Sequence, residues 1–455
     1  MTAIVPAADP HTGSRSGNRL PRVFLLGRPG HTGRMPLLDD SLGLAAQGYS
    51  WFPGRWRRAA NPDILHTRLM GKRAVGLRGP GAVRFFYDEA NVRRHGAIPE
   101  PVRGTLFGHG AVHTLDGIDH RNRKLMFLSV LKDPRQVGRL AERAGRAWDD
   151  AVPGWAARPE VVLFDETAQV ITRAVCDWSG VPLAEADVPR TAADLTSLVD
   201  GFATAGPRHW RARRARGRLE RWLTGLIEQA RLDGDDSVLD QVARHTGTDG
   251  RLLPPRRAAV ELLNIIRPTV AVSWFVTFAG HALHRWPWLR ERLGGGDLEY
   301  AVAFAHELRR FYPFAPFVGG VAVRETTFGG ERVPKGAMVL LDIYGQNHDE
   351  RLWPDPYRFD PDRFLGAGPG RDELIPQGGG DPRTGHRCPG EDVTLTLLAT
   401  LAIRLARLDY AVPEQDLSIS LRRIPAQPRS RMLLRVSGSA TAQPARVAEH
   451  AAPYR

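Results

Sequence analysis

Two cysteines, Cys176 and Cys388, are all that 455 residues carry. Two thiols cannot build a disulfide framework, so the fold must rest on its core, and a reducing cytoplasm is the expected compartment. Residues 1 to 20 lack the apolar stretch of a signal peptide. The most apolar window, "TVAVSWFVTFAGHAL" at 269 to 283, falls short of a membrane span and is flanked by Arg267 and Arg285. A buried core helix is expected there, with no membrane span. The chain has no internal repeat, no convincing linker and no recognisable nucleic-acid motif.

What is present reads as an ordinary soluble protein, 42% hydrophobic and 25% charged. The net charge of +13 permits nucleic acid, an anionic membrane surface or an acidic protein as partner. The basic residues are scattered, however. Their densest run, "RHWRARRARGRLER" at 208 to 221, is expected to be a solvated helix face. Residues 1–20 and 438–455 read as disordered tails around a single domain, 21–437. Strand-like pieces ("HTRLM" at 66, "AVRFFY" at 82) come first. Helical spacing of apolar residues then dominates from Asn91 to Pro287. Short strands and Gly/Pro turns follow Val318, and a last helix follows Cys388. The expected class is mostly α with small β-sheets.

Two stretches carry chemistry. In "PQGGGDPRTGHRCPGE" at 376 to 391, glycines and a proline hold Cys388 just ahead of a helix. Backbone N–H donors and the positive helix end there are expected to lower the thiol pKa, so a metal-bound or nucleophilic thiolate is expected. Cys176, in "VITRAVCDWSG", has the context of a core residue. The second stretch is "NIIRPTVAV" at 264 to 272. It sets Arg267 and the helix-breaking Pro268 inside the long apolar run from Leu262 to Leu283.

The cysteine loop resembles the ligand loop of the cytochrome P450 family, with His386 two before Cys388 and Gly390 two after. "ELRR" supplies Glu307 and Arg310, one helical turn apart. "FDPDRF" supplies Arg363, which in that family completes a buried ion network. The resemblance covers roughly residues 34 to 436. It implies a cytochrome P450 fold with heme b held between the long central helix and the cysteine-ligand loop, and Cys388 as the axial metal ligand.

The chain departs from the common pattern twice. Asp381 stands where a Phe is usual, and Arg267 and Pro268 replace the usual acid–alcohol pair of the central helix. With "LFGHGAVHTLDG" at 106, "LVDGFATAGPRHW" at 198, "RRFYPFAPFVGG" at 309 and "GQNHDERLWPDP" at 345, this resembles the bacterial fatty-acid peroxygenase branch. That branch implies fatty acid and hydrogen peroxide as reactants and no redox partner protein. It also implies hydroxylation at the alpha or beta carbon, and loss of carbon dioxide to a terminal alkene. A buried guanidinium is costly unless an anion meets it, and a fatty-acid carboxylate fits its fork. The carboxylate on Arg267 then serves as general acid–base, and Pro268 is expected to kink the helix and make room beside it. A conventional P450 monooxygenase fed by a ferredoxin is the alternative.

By the same resemblance, His113 lies in the loop over the heme, as a proton donor or substrate hydrogen-bond group or as a packing histidine. Phe107 stands beside it. Val199, Phe202 and Phe317 match substrate-tunnel positions. His120 and Lys124, four apart on one helix face, meet a heme propionate together with His386. Gln377 has no role that the sequence supplies.

Overall fold

A computed structural model describes residues 39–202, 204–366 and 368–437. The expected tails, 1–20 and 438–455, lie outside them. Helices form most of the described chain, and a five-stranded sheet sits beside them. That sheet joins residues 64–93 to residues 317–342. The hairpin Ile64–Leu69 and Lys72–Leu77 pairs in parallel with Met338–Asp342, which pairs antiparallel with Phe317–Ala322, and Val92–Arg93 closes the far edge.

The "HTRLM" segment is part of a strand, as its composition predicts. "AVRFFY" is not: residues Pro80–Tyr87 form a helix. Pro80 at its first position is pre-set for helix, and Ala82, Val83 and Phe86 fall on one buried face. β-propensity suggested a strand there, and the start signal overrode it.

The main core is helical. It gathers Pro134–Ala156, Leu163–Ser179, Pro207–Asp233 and Glu391–Arg407 around the central pair Pro255–Val270 and Val272–Arg285. Taken together, residues 255–285 are apolar and long enough to cross a membrane, but their apolar window is 94% buried inside the protein. They form an interior helix, and Cys176 lies in the same core.

The expected kink at Pro268 takes a different form. The helix continues through Pro268 to Val270 and is interrupted at Ala271, where Trp274 N–H turns to the Ala271 carbonyl (3.1 Å). Pro268 removes an N–H and crowds the turn before it, while Thr269 back-bonds to the Ile265 carbonyl (2.8 Å). The interruption therefore falls three residues after the ring, at Ala271, whose backbone stays in the right-handed helical region. From Ala258 to Gly280 every residue is buried except Pro268, which faces a cavity.

Glu307 and Arg310 lie on the helix Leu298–Phe311 and are 0% and 1% exposed. Arg310 Nε and Nη2 donate to the two Glu307 oxygens (2.6 and 2.7 Å), and Arg363 Nε lies 3.3 Å from Glu307 Oε2. Arg310 also donates to the carbonyls of Asn347 and Pro356, so one guanidinium ties this helix to two loops. Replacing Glu307 by Gln leaves two cations facing one neutral amide. A loss of about 3–5 kcal/mol is expected, read as a lowered unfolding midpoint and a reduced yield of heme-loaded protein.

Candidate active site

The central helix and the cysteine loop face each other across a cavity of about 230 Å³. Asn264, Ile265, Arg267, Pro268 and Thr269 form one wall; Gln377, His386, Cys388, Pro389 and Gly390 form the other. Val112, His113, His120, Lys124 and Phe127 complete it. The structure thus brings Arg267, Pro268, His113, His120, Lys124, His386 and Cys388 together. Four of the expected residues do not line this cavity. Phe107 stacks behind His113 at 4.2 Å. Val199 is buried in the helical core, Phe317 packs edge-on to Phe52 (5.9 Å), and Phe202 is half-buried.

The cysteine wall is built by tight turns. Cys388 N–H donates to the Gln377 carbonyl (3.1 Å). Gly378 holds φ +92°, and a side chain there would strike the Tyr87 hydroxyl at 2.3 Å. Gln377, which the sequence left without a role, hydrogen-bonds through Nε2 to Thr394 Oγ1 (3.0 Å) and approaches Cys388 Sγ at 3.5 Å. Burial pushes the thiol above its ordinary range, although the Gly390 N–H, Lys124 and Gln377 all pull it down. The expectation of a lowered pKa anticipated the backbone donor at Gly390 but missed Lys124, Gln377 and the larger desolvation cost.

At the cavity edge His120 and His386 stack at 3.8 Å. His120 Nδ1 and His386 Nε2 are buried without a hydrogen-bond partner, and Asp116 Oδ1 lies 3.5 Å from the latter. Burial pushes the Asp116 carboxyl up, but His386 and the Arg94 and His95 amides hold it at about 2. Lys124 is buried and donates to the carbonyls of Gly385 and Arg387, so it braces the cysteine loop from the cavity side.

Arg267 is 4% exposed. It donates to the Leu106 carbonyl and to Asn264 Oδ1 (3.2 Å), and lies 5.6 Å from the Phe107 ring. Its Nε has no partner, and among the described residues no carboxylate pairs with it. Burial and the neighbouring Arg216 push its pKa down to about 9. The carbonyl it uses belongs to the loop that also carries His113. Burial and Arg267 together push His113 well below the ordinary histidine range, so its ring is neutral near pH 7, and its Nδ1 has no partner.

Sequence reasoning missed three residues: Asn264 in this wall, and Glu261 and Arg216 behind it. Glu261, Asn264 and Arg267 recur at three-residue spacing, a polar stripe on an otherwise apolar helix, and that spacing was the available signal. Arg216, from the helix Pro207–Asp233, donates to the Thr105 and Leu106 carbonyls (both 3.0 Å) and pairs with Glu220 (2.7 Å). One member of the basic run at 208 to 221 is therefore a buried brace rather than part of a solvated face.

The cavity suits a flat metallo-macrocycle. A buried thiol with a raised pKa is what a coordinating cation would deprotonate. The unpartnered nitrogens of His120 and His386 suit acidic groups at the edge, and Val112, Phe127, Leu131, Ile265 and Val393 suit an apolar plane.

Comparison with known proteins agrees. A family profile described as cytochrome P450 matches residues 296–422. A cyclooctat-9-en-7-ol 5-monooxygenase of Streptomyces melanosporofaciens is 26% identical over 430 residues, 82% of this chain and 88% of that one. Among solved structures, cytochrome P450SP alpha (CYP152B1) is 39% identical with a TM-score of 0.84, covering 88% of this chain and 98% of that one. Cytochrome P450EX alpha (CYP152N1), solved with myristic acid, is 37% identical with a TM-score of 0.83, over 88% and 97%. A variant of cytochrome P450 OleT, solved with arachidonic acid, is 33% identical with a TM-score of 0.84, over 88% and 96%.

The fold and the cysteine wall are thus those of a heme-thiolate oxidoreductase. The chain belongs to the cytochrome P450 family, and its heme iron is held by a cysteine thiolate. Replacing Gln377 by Leu removes the side-chain donor nearest Sγ. The thiolate should then donate more strongly, and the ferric/ferrous potential should fall, as measured by spectroelectrochemistry.

Proposed function

We propose that the protein is a peroxygenase that uses hydrogen peroxide to hydroxylate fatty acids at the alpha or beta carbon, with some decarboxylation to terminal alkenes. The observation that carries this reading is Arg267. A guanidinium buried in the cavity of Cys388, with dipoles but no carboxylate beside it, calls for an anionic ligand. Solved structures of P450EX alpha with myristic acid and of an OleT variant with arachidonic acid support the ligand class.

Heme at Cys388 supplies the oxidising chemistry, with the thiolate pushing electron density toward the iron. The chain's own residues do the rest. Arg267 has five N–H donors, of which the Leu106 carbonyl and Asn264 take two. The remainder can hold a carboxylate in a two-point grip. That grip fixes the carbons next to the carboxylate nearest the reacting centre and leaves the rest of the chain to apolar walls. The central helix places no aspartate or glutamate at positions 265 to 270. The carboxylate oxygen of the substrate is therefore the group that takes and returns the peroxide proton. His113, neutral and packed against Phe107, offers a hydrogen bond rather than a charge. Its contact with the substrate biases the outcome toward decarboxylation.

A ferredoxin-fed monooxygenase is the second reading, favoured by the monooxygenase names of curated relatives. The two separate cleanly. Purified enzyme, a fatty acid and hydrogen peroxide should give hydroxy acid without any reductase; product that appears only with NAD(P)H and redox proteins overturns the proposal. Arg267→Ala should keep the heme spectrum and lose about a hundredfold or more in fatty-acid turnover, whereas normal turnover would rule out the grip. His113→Gln should lower the alkene share of products, measured by gas chromatography.

A further inference from the structure

Glu261 lies two turns ahead of Pro268 on the central helix, is 0% exposed, and does not line the cavity. Its carboxylate nevertheless touches three segments that supply residues to the cavity. Oε1 accepts from the Val112 N–H (2.9 Å), which opens the short turn Val112–Thr114 carrying His113. Oε1 also accepts from Arg123 Nη1 (2.6 Å), on the helix Gly117–Leu131 that supplies His120 and Lys124. Oε2 accepts from Asn264 Nδ2 (3.3 Å).

The Asn264 contact decides an orientation. A side-chain amide has one donor end and one acceptor end. Asn264 Nδ2 faces two acceptors, Glu261 Oε2 and the Phe107 carbonyl (3.0 Å), and Oδ1 faces the donor Arg267 Nη2 (3.2 Å). The Phe107 carbonyl and an ionised Glu261 carboxylate both accept only, so together they hold the amide in a single orientation, the one that presents oxygen to the guanidinium. We propose that Glu261 is a positioning residue: through Asn264 it aims Arg267 at the substrate carboxylate, and through Val112 it sets the His113 turn in the same register. The inference rests on the reading of Arg267 as the partner of that carboxylate.

Glu261→Gln tests it with almost no change of shape. If the new amide oxygen keeps Val112 and Arg123, its NH2 faces the NH2 of Asn264. Asn264 must then turn over, presenting a donor to Arg267 and losing the Phe107 carbonyl. In the heme-loaded enzyme, the dissociation constant for myristic acid, read from the Soret shift, should rise about tenfold. That for myristyl alcohol, which has no carboxylate, should not change, and the alpha-to-beta product ratio should move. A purely structural role would lower the unfolding midpoint and weaken acid and alcohol alike, and that result overturns the proposal. An unchanged acid affinity and product ratio overturns it too. Should Glu261→Gln fail to fold because Arg123 is left unpaired, Glu261→Gln/Arg123→Met removes both charges and is read the same way. Arg267→Ala, measured in parallel, keeps the two ideas apart. If it leaves acid affinity intact, the carboxylate grip itself falls; if it weakens acid binding while the Glu261 variants do not, only the present inference falls.

Discussion

A positive charge buried with no carboxylate beside it among the described residues organises this site. Arg267 is surrounded by dipoles: a backbone carbonyl, a side-chain amide and an aromatic ring. Such groups lower the cost of burial without cancelling the charge. The neighbouring buried ions are handled differently. Arg216 has Glu220, Arg123 has Glu261, and Arg310 has Glu307. Among these guanidiniums only the one facing the cavity of Cys388 lacks an acidic partner, which keeps its donors available to an anion.

The opposite wall solves a related problem for a negative charge. A thiolate at Cys388 must form in a site where burial favours the neutral thiol. Gly390, Lys124 and Gln377 offset part of that cost, and a coordinated iron supplies the remainder. Lys124 acts by its charge and also through the carbonyls of the loop that holds the sulfur. The Arg267 wall depends further on Glu261 and Arg216, one layer behind it. The sheet that joins residues 64–77 to 317–342 and the Glu307–Arg310 pair hold those layers in place.

Much of this was legible in one dimension. The cysteine loop, the spaced Glu307 and Arg310, and the incongruity of Arg267 and Pro268 in an apolar run all report local constraints. Other features misled. "AVRFFY" has strand composition but starts with a helix signal. Pro268 predicted a bend at itself, yet the helix runs on through it and is interrupted at Ala271.

The sequence by itself determined which residue types must be exceptional: a thiol in a glycine-rich loop, and a guanidinium and a proline inside a hydrophobic helix. These are local violations of composition and propensity, visible wherever they stand. Only the tertiary structure decided who meets whom. That Gln377 approaches the sulfur, that Arg216 braces the loop over Arg267, and that Glu261 reaches Val112, Arg123 and Asn264 at once are contacts between segments up to 149 residues apart. Hydrogen bonds act over about 3 Å, so their partners are settled by packing in space and not by order along the chain.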